Sequence, residues 1–207
     1  MALLFMDGYE HLVTADLAEK YDSVSSGSVS TSYARTGSAS LNASGYVGVA
    51  LNPTGLTAIW GGGMYSISSS SYIEFGYGGF AGAANAQLTV QLQGDGSLAV
   101  KRGVTVGTEL GRTAAGVFRF SVWNYLEIKV TFDNSTGTVT LKLNGVEVLA
   151  LTGKDTVQQT EVAWNCMRWG GGGYYDDVYI CDGNGSQNND FLGQIRVVAL
   201  KPQTNGH

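Results

Sequence analysis

Residues 123–132, Trp-Asn-Tyr-Leu-Glu-Ile-Lys-Val-Thr-Phe, decide the fold class. From Tyr125 onward apolar and polar side chains alternate. A period of two belongs to a strand with one buried face, so Leu126, Ile128, Val130 and Phe132 share a side. Residues 133–137, Asp-Asn-Ser-Thr-Gly, form a polar turn cluster. Alternation resumes over 138–143 and places Val139, Leu141 and Leu143 together. Asn144-Gly145 follows, a pair that tolerates the positive φ of a type I′ hairpin turn. Val146, Val148 and Leu149 begin the return. Local chemistry alone therefore makes residues 118–151 a three-stranded meander.

The same grammar extends upstream and downstream. Gln87–Gln93 and Ser97–Arg102 flank the turn Gly94-Asp95-Gly96. Further strands fit Ser28–Arg35, Gly45–Leu51, Leu56–Trp60, Met64–Ile67, Tyr72–Gly76, Glu161–Trp169, Tyr174–Cys181 and Gln194–Leu200. Roughly a dozen short strands at this turn spacing indicate a sandwich or barrel. One short helix fits Leu12–Tyr21, with Thr14 as N-cap. The runs Gly61–Gly63 and Gly170–Gly173 read as loops or strand interruptions; the other reading is backbone that approaches a ligand.

A chain of 207 residues fits one large domain. Residues 1–27 are expected as an N-terminal arm or first strand with a short helix, 28–202 as the sandwich, and 203–207 as a tail. Hydrophobic residues at 43 % and aromatics at 11 % suffice for a core. Charged residues are 14 %, well under the ~25 % of an average soluble protein. A net charge of −5 argues against a nucleic-acid partner. No apolar run reaches the ~18 residues of a membrane span. Met1–Met6 is apolar and Asp7 acidic, without the basic region of a secretion signal, so assembly in a cytoplasm is expected. Met1–Met6 fits two roles equally: an arm that pairs with a neighbouring subunit's sheet edge, or a first strand in its own sheet. Cys166 and Cys181 are too few for a disulfide framework and are expected as reduced thiols, though a bridge is open if their strands adjoin.

Catalytic patterns are sparse. Glycoside hydrolysis needs two carboxylates flanking a sugar. Glu127 is the sole acid of its strand, Glu74 stands alone between Ile73 and Phe75, and Asp176 and Asp177 are adjacent and point to opposite faces. One of these two aspartates is expected at solvent or a loop, the other buried and accepting backbone N–H groups from a neighbouring turn. No nucleophile elbow or phosphate loop occurs, and the only histidines are His11 and His207. Asp182, Asn184 and Ser186, with Asn188 and Asp190 beyond, resemble half of a Ca²⁺ loop, but position twelve is Gly193 rather than a bidentate Glu. A plain Asx-rich turn has the same spacing. Tyr65, Tyr72, Tyr77, Trp164, Trp169, Tyr174 and Tyr175 are candidates for stacking on a sugar, or else core and interface aromatics.

Three segments carry a resemblance. Trp123–Val130, Leu141–Val146 and Tyr175–Ile180 stand in the order and spacing of the concanavalin A-like lectin/glucanase (LamG-like) jelly roll. Phe5–Glu10 and Cys181–Pro202, which includes Asn189-Asp190-Phe191-Leu192-Gly193, are similar to a branch carried on the virions of tailed bacteriophages. The resemblance implies an all-β jelly-roll sandwich of two antiparallel sheets. It implies a non-enzymatic virion structural protein, either a capsid decoration on the head surface or a tail-associated component, assembled in the bacterial host cytoplasm. Its partners would be other virion proteins and further copies of itself in a homo-oligomer such as a trimer. The alternative is a carbohydrate-binding adhesin on the virion that meets host surface polysaccharide, and the third a glucanase-like hydrolase. No cofactor is implied, and the metal site of the lectins has no matching residues. A concave patch of two or three exposed Trp or Tyr beside Asn or Asp would favour the adhesin, and aromatics wholly in the core or in subunit contacts would favour the scaffold.

Overall fold

The computed structural model describes residues 3–80 and 85–198. Met1, Ala2, the end of the 194–200 segment and the 203–207 tail lie outside these residues. Among the described residues, fifteen strands form two antiparallel sheets. The first sheet runs β13 (Val146–Lys154), β12 (Gly137–Leu143), β11 (Trp123–Thr131), β6 (Thr57–Tyr65), β15 (Tyr174–Cys181), β4 (Ser40–Asn42), β3 (Ser28–Ser30). The second runs β10 (Thr108–Arg112), β9 (Leu98–Arg102), β8 (Ala86–Leu92), β7 (Tyr72–Gly76), β14 (Cys166–Gly170), β5 (Tyr46–Ala50), β2 (Ser23–Val24).

The core lies between the sheets and follows the alternation. Leu126, Ile128, Val130, Val139 and Leu141 meet Val47, Val49, Ile73, Phe75, Leu88, Val90 and Met167 from the other sheet. Each such side chain contributes about 1.5–3 kcal/mol on burial. The hairpin β12–β13 turns at Asn144, φ 53°, and Gly145, φ 84°, as the Asn-Gly pair requires.

β1 (Leu3–Asp7) pairs with β15 of its own chain, so of the two roles open to the N-terminus the first-strand role is the one observed. The expected helix is reduced to a 3₁₀ turn, Thr14–Asp16, and one α-turn, Leu17–Lys20. Thr14 does not cap it: its Oγ1 accepts Val29 N–H, and the Asp16 carboxylate takes Val13 N–H instead.

The two strands expected at Leu56–Trp60 and Met64–Ile67 are one continuous strand, β6, that passes straight through Gly61–Gly63. A Cβ at Gly61 would lie 2.2 Å from the Tyr179 ring, and one at Gly63 2.5 Å from Arg35 Cδ. The glycines thus make room for neighbouring side chains, rather than for a turn. Three other expected strands are shortened: Ser28–Arg35 ends at Ser30, Glu161–Trp169 begins only at Cys166, and the described part of 194–200 is not strand. β10 and β4 lacked a readable alternation.

Candidate functional site

The two outer faces of the sandwich differ. On the first sheet, the segment after β15 folds back across β15, β6 and β11 as a strap. Phe191, Leu192 and Ile195, with Leu3, cover Ile59, Tyr125, Tyr179 and Cys181, which form a second, smaller apolar cluster. Tyr179 Oη donates to Glu127 Oε1 at 2.6 Å, Gly193 N–H donates to the same oxygen at 2.8 Å, and Leu192 N–H donates to Tyr179 Oη at 3.0 Å. Val197 N–H donates to Asp177 Oδ1.

Asp176 and Asp177 sit on a bulge of β15, where Asp177 has φ 51°. The left-handed residue breaks the two-fold alternation, and both carboxylates are fully buried instead of one facing solvent. Asp176 Oδ2 accepts Arg35 N–H and Thr36 N–H, as expected for one member of the pair. Asp177 takes the Arg35 guanidinium at 2.6 Å and Thr36 Oγ1. Burial, then the neighbouring Asp177 charge, push the Asp176 carboxyl up to about 7 against these N–H donors. Arg35 also lies 4.5 Å from the Tyr125 ring centroid.

The second sheet's outer face is polar, and the described part of the β7–β8 loop reaches over its β5–β14 end at Gly79 and Phe80. Strand register lays out one row as Gly48, Arg168, Glu74, Thr89, Lys101 and Glu109. The adjacent row reads Tyr46, Gly170, Tyr72, Gln91, Ala99 and Arg112. Arg168 ties the rows together. Its Nε donates to Glu74 Oε1 at 2.6 Å, its Nη1 to Phe80 O at 3.3 Å, and its guanidinium lies 4.9 Å from the Tyr46 ring centroid. Burial raises the Glu74 carboxyl, which Arg168 opposes, and burial also raises the Tyr72 phenol. Lys101 Nζ reaches Gln91 Oε1 at 3.0 Å. Phe80 packs over Gly48, where a Cβ would come within 2.7 Å of its ring. Two half-exposed tyrosines thus flank the glycine Gly170, beside an arginine whose geometry is held by three partners. Such a face offers rings for stacking and fixed donors and acceptors for hydroxyls.

The candidate aromatics divide four ways. Trp164, Trp169 and Tyr175 are core. Tyr72 belongs to the second sheet's outer face, while Tyr77 lines a separate 460 Å³ cavity with Pro53, Thr54 and Trp164. Tyr65 and Tyr174 lie on the first sheet beyond the strap, together with Tyr33 and Trp123. Tyr46, Gln91 and Arg168 were not singled out from sequence. Their outward parity on strands whose other face is apolar was the available signal, but it says nothing of which strands adjoin.

Carboxylate pairing on the open face is poor for hydrolysis. Glu74 and Glu109 are three strand spacings apart, roughly 14 Å by backbone, against the ~5–9.5 Å of a glycosidase pair. Each is bonded to an arginine, Arg168 and Arg112 respectively. The Ca²⁺ reading does not fit the donor set. Asp182 is buried and accepts Thr54 N–H, Thr54 Oγ1 and Asn184 N–H, and Asp190 pairs with Lys129. The segment is an Asx turn. Among the described residues no group of three or more His, Cys, Asp or Glu is arranged to hold a metal. Cys166 and Cys181 are free, and they point outward from opposite sheets, so no bridge joins them. No described helix is long and apolar enough to cross a membrane.

No protein-family model matches the chain, and no curated protein matches it in sequence. Solved structures do match. Alginate lyase Aly36B aligns with a TM-score of 0.53 at 10 % identity, over 86 % of this chain and 96 % of that one. A mutant of it in complex with an alginate tetrasaccharide aligns with a TM-score of 0.53 at 12 % identity, over the same 86 % and 96 %. A toad ovary galectin in complex with thio-digalactose gives 0.47 at 14 % identity, over 67 % and 99 %. The likeness is one of fold: this chain is an all-β, concanavalin A-like jelly-roll sandwich.

Proposed function

We propose that the chain is a non-enzymatic surface protein of a tailed-phage virion, on the head or tail, whose second sheet contacts host glycan. The carrying observation is the pair of rows on that sheet: Tyr46 and Tyr72 flanking Gly170, with Arg168 locked between Glu74 and Tyr46. Carbohydrate recognition uses this combination of aromatic face and preset polar groups. The wide separation and arginine pairing of Glu74 and Glu109 argue against glycoside hydrolysis on this face. The virion setting is supported by the resemblance of the Phe5–Glu10 opening and the Cys181–Pro202 ending. In that setting the protein would act in several copies, and weak single-site contacts would add through avidity.

A glycan array spanning bacterial polysaccharides, followed by calorimetry on the best ligand, tests the contact. Tyr46→Ala and Tyr72→Ala are expected to weaken binding about tenfold each, roughly 1.4 kcal/mol, with unfolding midpoints little changed. Silence across the array, or binding indifferent to both substitutions, would remove the glycan role. Release of reducing sugar or of unsaturated uronate during incubation would instead make the protein an enzyme. Immunogold labelling of intact particles tests the setting.

A further inference from the structure

The first sheet carries an aromatic row that neither the core nor the strap uses. Trp123, Tyr65 and Tyr174 are register neighbours on β11, β6 and β15, and Asn42 of β4 continues the row. Tyr33, 40 % exposed, folds over it from the loop between β3 and β4. Its ring centroid lies 4.6 Å from that of Tyr174 and 4.9 Å from that of Tyr65, and Tyr65 lies 5.7 Å from Trp123.

The polar ends of these rings distinguish them from the other tyrosines of the sheet. Tyr125 Oη donates to Asp177 O, Tyr175 Oη to Gly170 O, and Tyr179 Oη to Glu127. Tyr33, Tyr65 and Tyr174 hydroxyls and Trp123 Nε1 bond to nothing among the described residues, and all four residues keep solvent exposure. The row therefore presents carbon faces and unused donors side by side. Trp123 also forms the wall of an adjoining open depression of about 620 Å³, with Val122, Asn124, Asn144 and Val146. That volume is in the range of small-ligand sites.

We propose that this row is a second carbohydrate site, which stacks the C–H face of a neutral pyranose on Trp123 and on the exposed ring of Tyr33, which Tyr65 and Tyr174 hold in place. A neutral sugar suits the rings themselves: Arg35 beside them is already paired with Asp177, no carboxylate stands among them, and the exposed Arg119 lines the depression beyond Trp123. The occupant is a sugar rather than a second protein copy because the surface ends in unpaired hydroxyl and indole N–H groups. A dry protein contact would bury these without partners, at a cost of about 1–3 kcal/mol each.

Trp123 is the reporter. The other three tryptophans, Trp60, Trp164 and Trp169, are at most 2 % exposed. Acrylamide quenching of the full-length protein is therefore expected to report Trp123 almost alone. The probes are neutral gluco-, galacto- and manno-oligosaccharides. At least one is expected to shield Trp123. Tyr174→Ala and the loop variant Tyr33→Ala should each raise the concentration needed about tenfold. The Tyr46→Ala/Tyr72→Ala protein should retain the shielding, which separates this site from the one on the second sheet. Failure of every oligosaccharide to shield Trp123 overturns the proposal. So does a change in oligomeric mass, by light scattering, on Tyr33→Ala, since that would make the row a subunit contact.

Discussion

Glu127 and Glu74 occupy outward positions on the two sheets, and both are almost fully buried, at 1 % and 6 % exposure. They reach burial by different routes. Glu127 is covered by chain: its Oε1 accepts one phenol and one backbone N–H of the strap. Glu74 is covered by side chains of its own sheet and by Arg168, with Phe80 close by. The difference separates roles. A carboxylate satisfied by backbone from a distant segment pins tertiary structure. A carboxylate satisfied by a single arginine positions that arginine, here beside the Tyr46 ring. Stability should therefore reside in the strapped part of the first outer face, and binding in the second face and the strap-free aromatic row.

The sharpest way to break this contrast is to end the chain after Gly185. Removal of the strap uncovers Ile59, Tyr125, Tyr179 and Cys181 and strips Glu127 of an N–H donor. At about 1.5–3 kcal/mol per uncovered side chain, the loss approaches the entire stability of an ordinary domain. The expected outcome is a large fall in the urea midpoint and dye binding to exposed apolar surface. Burial pushes the Cys181 thiol up to about 12, so in the intact protein it should resist alkylation, and truncation should release it. An unshifted midpoint would mean that the strap merely rests on the sheet.

Single carboxylates give the next largest effect. Asp177→Ala strands the Arg35 guanidinium and frees Thr36 and Val197, so a loss of about 3–5 kcal/mol is expected in denaturant unfolding. Glu74→Gln keeps an acceptor for Arg168 and should cost about 1 kcal/mol, while it alters glycan binding more than Asp177→Ala does at equal fraction folded. Equal stability losses would erase the distinction between the faces.

These two regions also differ in how far the amino-acid sequence reveals them. The β11–β12–β13 meander and its Asn-Gly turn are legible because register there depends on adjacent residues. The continuity of β6 is not, because the reason for Gly61–Gly63 is supplied by Tyr179, Val178 and Arg35, which are far away in sequence. Ile195 and Val197 alternate like a strand, yet Ile195 packs on a sheet face and Val197 N–H bonds to Asp177. Alternation reports an apolar side and a polar side, not the partner that covers the apolar one. The second-sheet site is harder still. Arg168, Glu74 and Tyr46 come from three strands separated by up to 122 positions, and only the sheet order places them in adjoining rows. Asp177 escaped prediction for a local reason, since a left-handed residue in a strand carries no pattern that a two-fold period can show.

The pH dependence bears on the strap side of the contrast. Burial and Asp177 lift the Asp176 carboxyl to about 7, above the ~3.9 of an unfolded aspartate. The folded protein then holds a proton that the unfolded chain releases. Stability is expected to fall as pH rises from about 4 to about 7 and to level off above that. Glu74 and Glu10 are shifted the same way by burial and add to the slope. Urea midpoints across this range check the sign. Asp176→Asn lowers the midpoint, because its amide N–H₂ faces backbone donors, but it should flatten the slope; an unchanged slope would assign the effect to the two glutamates.

The smallest effect separates the strap's buried bonds from its rim. Lys129 and Asp190 form an ion pair at 3.1 Å with side chains 32 % and 66 % exposed. Lys142 lies 4.4 Å from the Phe191 ring centroid. Pairs this wet contribute about 0–1 kcal/mol and are screened by salt. Lys129→Ala is therefore expected to leave the midpoint within a few tenths of a molar of urea. Cys181 should stay unreactive toward alkylation in that variant, at low salt and in ~1 M salt alike. If Lys129→Ala or salt opened Cys181, the strap would be held by surface charge. Glu127 and Tyr179 would then be bystanders, and the first outer face would be as accessible as the second.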